Sequence, residues 1–264
     1  MSSSRTGSGP FPVYVAKGVR VYASGLLSIV LPFYLKVIGY GLPFQGLALV
    51  AILAGNAASN IALTYLDAVV GRRRLLQAFS LLMVAAGAAL ALYSSAALII
   101  AACFLGNISS SGTEAGPFQS IEAGVLPELA PAQASVKVFG RYNMIGYTAA
   151  AVGQLASAGP GLLGNSIGSF QAIFVGFEAV GAVLFVIYSR LRGIEGGRAV
   201  RPGLANLTPK GRKEVARLSG LFSMDAFGGV FATTYLLSIW FNATYSLQLE
   251  ALGSIFFVAT LIAA

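Results

Sequence analysis

Apolar residues fill this chain in long blocks separated by short polar or basic punctuation. Val21–Leu35 carries no charge and lies between Arg20 and Lys36. Val37–Leu66 is uncharged for 30 residues, Leu75–Thr113 for 39 and Tyr142–Phe177 for 36. A helix needs about 20 mostly apolar residues to cross a bilayer, so the last two blocks each hold two spans. Their breaks fall at Tyr93–Ala96 ("YSSA") and at "GPGLLGNSIGS", and a Gly/Pro turn ("GYGLP") opens the second span. The pattern predicts eight spans. The first is Val21–Leu35 with its preceding turn, the second about Phe44–Leu66, and the third and fourth divide Leu75–Thr113. The fifth and sixth run from Tyr142 to Ser189, the uncharged run Ala226–Leu249 covers most of the seventh, and the eighth begins in the apolar tail that reaches Ala264.

Composition narrows the classes. Of 264 residues, 56% are hydrophobic and only 10% charged, against roughly a quarter charged in soluble domains. So few charges could not cover a soluble surface, which excludes a soluble enzyme, a nucleic-acid binder and a disordered protein. Apolar runs of this length point to helices rather than a barrel. The sequence has no histidine, which removes Ser/His/Asp triads and His-ligated metals. Its one cysteine, Cys103, lies in an apolar run and reads as buried and inert, with no disulfide or thiol metal site. No cofactor and no metal are expected. The polar start "MSSSRTGSGP" lacks the small-residue cleavage site of a signal peptide.

The net charge of +8 matters through its placement. Arg5, Lys17 and Arg20 precede the first span, Arg72–Arg74 lie between spans 2 and 3, and Lys137 and Arg141 lie between spans 4 and 5. Eight more run from Arg190 to Arg217, whereas the opposite side has Lys36 alone. The positive-inside rule therefore predicts a cytoplasmic N-terminus in a multi-pass protein of the plasma membrane. The Gly/Arg-rich segment 191–213, with Pro202 and Pro209, reads as a solvated basic linker between a unit at 1–190 and another at 214–264.

Sliding the chain on itself by 205 residues lays "YGLPFQGLALVAIL" from Tyr40 over "YSLQLEALGSIFFV" from Tyr245, and Arg20 over Asp225. A same-orientation repeat of this kind is what two parallel six-helix halves give. Two halves of that length exceed 264 residues, so the chain is expected to be a fragment: one half, the linker and the start of the second half.

Six spans, a basic linker and a repeat form the layout of the major facilitator superfamily of secondary transporters, which the chain resembles. The segment "LTYLDAVVGRRRLL" is similar to that family's cytoplasmic signature through Asp67, Gly71, Arg72 and Arg73. Its Asp-to-Gly spacing is one residue longer than usual, and Leu63 stands where a glycine is expected. "AVGQLASAGPGLLG" resembles the Gly-Pro signature of proton-coupled exporters through Gly159, Pro160 and Gly164, again with altered spacing. The arginine of such exporters' fourth span is absent from "LIIAACFLGNISSSG". "GPFQSIEAGVLPE" and "FSMDAFGG" also read like a prokaryotic branch of the superfamily.

The resemblance implies an all-α six-helix bundle plus the first helices of a second, and transport by alternating access. It also implies a charge network at Asp67, Gly71, Arg72 and Arg73 that latches the two halves, with Glu122 or Glu128 as carboxylate partner. Ionisable groups inside spans are costly and are candidates by default. Glu114 and Glu122 lie eight residues apart, two turns along one helix face if "AGPF" does not break it. Glu178 follows 36 uncharged residues and must face the interior, pair or stay protonated. Asp225 lies ~12 Å into the seventh span and could pair with Arg20 across a cavity. Asn56, Asn60, Asn107, Asn143 and Gln154 are amides within spans. Such groups commonly bond neighbouring helices. Arg20, Glu114, Asn143, Glu178 and Asp225 are the candidates for binding substrate or proton. The reading is a secondary transporter, non-enzymatic, exporting a small molecule against protons within a lipid bilayer and working with a second half. A non-transporting membrane fragment and an integral-membrane enzyme are the alternatives, the latter disfavoured by nine scattered acids.

Overall fold

A computed structural model describes residues 9–113, 116–129, 135–191 and 208–264. Among these residues every regular element is helical. In chain order they are α1 (Phe11–Val37), α2 (Leu42–Val70), α3 (Arg72–Leu92), α4 (Ala96–Leu105), α5 (Pro117–Val125), α6 (Ser135–Ala156), α7 (Gly159–Leu162), α8 (Ile167–Arg190), α9 (Pro209–Val230), α10 (Thr234–Tyr245) and α11 (Leu249–Ile262), with a 3₁₀ turn at Leu126–Glu128. Among the described residues five stretches are long and apolar enough to cross a membrane: Phe11–Val37, Leu42–Asp67, Arg72–Leu92, Ile167–Arg190 and Lys210–Tyr245. The chain is an all-α, multi-pass membrane protein.

Helix α1 is the axis of the bundle. Leu27, Ile29, Val30, Leu31, Tyr34 and Leu35 on it are buried, and α6, α8, α10 and α11 pack around it. Helix α3 lies along α8, α4 bridges α2 and α3, and α11 packs on α6. In lipid there is little hydrophobic drive between helices, so close approach has to supply the attraction. Glycines allow it where α1 crosses α6. A Cβ on Gly25 would stand 2.3 Å from the Ala150 carbonyl oxygen, and one on Gly153 2.0 Å from that of Tyr22. The α2–α3 corner turns on Gly71, whose φ of 87° excludes most L side chains.

The break expected at Tyr93–Ala96 falls at Tyr93–Ser95, that expected at "GPGLLGNSIGS" falls between Ala156 and Ile167 with α7 inside it, and α8 ends at Arg190, one residue beyond the expected Ser189. Two expectations need correction. The fourth span is not one helix: it stops at Leu105 and resumes at Pro117. Asn107 adopts φ 51° and Gly112 φ 72°, and Pro117 begins α5 without an N–H to continue the ladder. Glu114 itself lies outside the described residues. The seventh span starts at Pro209, inside the expected 191–213 linker, because the Thr208 hydroxyl accepts the Gly211 N–H at 3.2 Å and Pro209 occupies the first helical position. It then breaks at Phe231–Thr233.

Replacing Gly153 with valine is expected to lower stability by about 1–3 kcal/mol, because the side chain must displace backbone rather than a flexible tip. Gly176, in α8, has open space around its Cβ position. Gly176→Ala is therefore expected to be neutral or stabilising, through helix propensity. Thermal unfolding of the detergent-purified variants separates the two cases.

Candidate functional site

Four helices converge on one carboxylate near the end of the bundle that carries Arg72–Arg74. Helix α1 contributes Arg20 and α5 contributes Glu122. Arg20 Nη2 donates to Glu122 Oε2 at 2.6 Å and Nη1 to Oε1 at 3.0 Å, a two-point guanidinium–carboxylate pair. The Tyr142 hydroxyl from α6 donates to Oε2 at 2.7 Å, and the Tyr188 hydroxyl from α8 to Oε1 at 2.7 Å. Arg20 Nη1 also lies 2.6 Å from the Tyr188 oxygen. The guanidinium stacks 4.7 Å above the Phe118 ring, and Lys17, one turn earlier on α1, sits 4.5 Å above that of Tyr142. Arg20 is 2% exposed and Glu122 1%, so the pair is removed from solvent. Burial of this kind is tolerated only when geometry and additional hydrogen bonds satisfy both ions.

Each sequence candidate now has a place. Arg20 pairs with Glu122, and not with Asp225 as expected. Asp225 lies on the exposed face of α9, without a hydrogen bond or ion pair among the described residues. The reason is the path of α9, which is exposed along almost its whole length; only beyond the 231–233 break does α10 pack on α1. Glu122 accordingly does not join the basic corner. There Arg72 Nη1 bonds Glu128 Oε1 at 2.8 Å, and Arg72 Nε lies 3.6 Å from Asp67 Oδ2. Arg73 donates to the Ser189 carbonyl, and Gln77 Nε2 bonds the Ser189 hydroxyl at 2.9 Å, so the α3 start caps the α8 end.

Glu178 is half-buried where α8 meets α3, against Gly87, with no hydrogen bond or ion pair to its carboxylate among the described residues. It lies about 16 Å from the start of α8, near mid-span. Asn143 borders a polar recess of about 80 Å³ with Lys17, Thr113, Gln119 and Tyr147. Asn56 Nδ2 donates to the Ile108 carbonyl at 2.9 Å, the Ser120 hydroxyl to Asn60 Oδ1 at 2.8 Å, and Thr260 to Gln154 Oε1 at 2.7 Å. These amides tie helices together. Cys103 is buried and free.

Sequence reasoning missed Tyr142, Tyr188 and the packing of Lys17. One signal was available: Lys17 and Arg20 are three apart and share a face of α1. Nothing local marks the tyrosines, whose partner is distant in sequence.

No family model matches the chain, and no solved structure matches it. It is similar to an uncharacterized membrane protein of Saccharomyces cerevisiae, YJR124C, with 22% identity over 283 aligned residues that cover 93% of this chain. The alignment covers 63% of the yeast protein, so the chain spans less than two thirds of that relative's length.

Removing one member of the buried pair leaves an uncompensated ion. Glu122→Gln or Arg20→Met is expected to cost about 3–5 kcal/mol, whereas Tyr188→Phe costs about 1 kcal/mol. The double variant Arg20→Met/Glu122→Met is expected to be more stable than either single variant. A double-mutant cycle on melting in detergent reads this coupling, and additive costs would refute it.

Proposed function

We propose that this chain forms part of a secondary transporter of the major facilitator type. In this reading it moves a small molecule by alternating access, as a proton-coupled exporter of the multidrug kind, and performs no enzymatic chemistry. It lies in the plasma membrane with its N-terminus in the cytoplasm. The observation that carries the reading is the arrangement of charge within a multi-pass helical bundle. One ion pair is buried and satisfied at the crossing of α1, α5, α6 and α8. A separate Asp67–Arg72–Glu128 cluster sits at the exposed basic corner. The first holds the bundle together as a unit. The second has partly exposed members, which exchange partners at little cost, as a latch between two rocking bodies requires.

The likeness to a yeast membrane protein supports membrane residence and says nothing of the solute. Glu178, near mid-span and with no partner to its carboxylate among the described residues, is the first choice for carrying the coupling proton, since an ionisable group inside a span is costly and marks a candidate proton path. Glu114 and Asp225 are the other carboxylates this reading assigns to proton transfer. Arg20 serves as the fixed counter-charge of Glu122, and Asn143 borders the polar recess beside Lys17.

The test uses full-length protein in proteoliposomes with ethidium as probe and DNA trapped inside to report its entry. A pH gradient is expected to drive ethidium accumulation above that of protein-free vesicles, and nigericin to abolish it. Glu178→Gln is expected to reduce the gradient-driven component at least tenfold. Flux equal to protein-free vesicles would overturn the export reading. Full gradient-driven flux in Glu178→Gln, Glu114→Gln and Asp225→Asn alike would overturn the coupling.

A further inference from the structure

The interruption between α4 and α5 does more than bend a span. It closes over a cavity of about 80 Å³ lined by Asn56, Asn107, Ser109, Ser110, Ser111 and the edge of Arg20. Two buried oxygens at this site, Asn56 Oδ1 and Asn107 Oδ1, have no hydrogen-bond partner. Their identity as oxygens follows from the amide nitrogens. Asn56 Nδ2 donates to the Ile108 carbonyl and Asn107 Nδ2 to the Leu105 carbonyl at 3.3 Å. Ser109 and Ser111 both direct their hydroxyl protons to the Thr113 carbonyl, leaving lone pairs to offer. The lining therefore presents acceptors in need of a positive or donating partner. Orphaned buried acceptors call for an explanation.

The electrostatics point the same way. Helix α4 ends here, with the negative end of its dipole. Pro117 removes one N–H from the start of α5 across the gap. The Arg20 charge is neutralised by its two-point contact with Glu122. We propose that the cavity binds one monovalent cation of sodium's size. Among the described residues no carboxylate lines it, and neutral oxygens alone do not offset the dehydration of a divalent ion. Amide and hydroxyl oxygens do not take up a proton near neutral pH. The volume admits an ion with one or two waters and is too small for an organic solute. Unwound backbone beside half-helix C-termini coordinates sodium in this way in other membrane bundles.

The ligand is small and the site enclosed, so equilibrium binding in detergent tests it without reference to flux. A failed sodium experiment leaves the transport reading standing, and a failed flux experiment leaves the site standing. The full-length protein is melted in equal concentrations of sodium chloride and choline chloride, and radiolabelled sodium binding is measured by equilibrium dialysis. Sodium is expected to raise the melting temperature and to bind saturably, at one ion per chain. Asn107→Gly keeps the left-handed backbone and deletes one acceptor, and Asn56→Leu deletes the other; each is expected to weaken sodium binding at least tenfold. Identical melting in the two salts without saturable binding would overturn the proposal, leaving water as the occupant. Sodium binding unchanged in both variants would also overturn it.

Discussion

The carboxylate of Glu122 is held from three directions at once, by a guanidinium on α1 and by phenols on α6 and α8. Removing two charges from water costs several kcal/mol each, and only near-ideal geometry returns that energy. The planar fork of arginine meets the requirement because two of its N–H groups match two carboxylate oxygens. The consequence is steric as much as electrostatic. To keep Glu122 satisfied, α1, α5, α6 and α8 must cross at one depth, and the approach of α1 to α6 must be close enough for Tyr142 to reach. Gly25 and Gly153 supply that approach. The ion pair and the glycine crossing are two parts of one constraint.

That constraint explains why the fourth span is broken. Glu122 belongs to a nine-residue helix whose position is fixed by its partners, whereas α4 is fixed by packing on α2 and α3. The described residues between them, 106–113 and 116, are not helical, and their backbone groups need partners away from water. Helix α10 supplies some of them. The Tyr235 N–H donates to the Ser110 carbonyl at 2.9 Å, and the Thr234 hydroxyl to the Ser111 carbonyl at 2.8 Å. The second break, at Phe231–Thr233, thus starts a new helix where the first break has carbonyls to offer.

Much of this order was legible in the sequence and some was not, for identifiable reasons. Span positions were legible because charge is so costly in lipid that apolar blocks are nearly uninterrupted, and because Gly, Pro and Ser mark the turns. The break after Leu105 carries such a mark, "GNISSSG", but that stretch is uncharged and lies inside the run Leu75–Thr113, so an uncharged-run criterion passed over it. The start of α9 was hidden in a basic linker even though Thr208-Pro209 is a helix-start signal. The pairing of Arg20 with Glu122 joins residues 102 apart, and no periodicity within one helix reports which distant carboxylate a buried arginine meets. The 205-residue offset lays Tyr40, in the turn after α1, over Tyr245 at the end of α10. It could not show that α1 is continuous where its counterpart is interrupted.

The difference between these two helices has a mechanical meaning. Helix α1 is buried and carries Arg20, so it cannot shift along its axis without opening the Glu122 pair. Helix α10 is tied to the same bundle by neutral hydrogen bonds, to Ser110 and Ser111 and from Tyr235 to the Gln45 carbonyl at 3.0 Å, and by one exposed bond from the Lys36 ammonium to Asn242 at 2.7 Å. Neutral bonds of this kind contribute about 1 kcal/mol each, against several for a member of the buried ion pair. If α10 is displaced against the bundle, its contacts yield before the Glu122 hub does. The helix break, its unpaired oxygens and the small cavity lie along that weaker seam, where displacement changes the surroundings of whatever occupies the cavity.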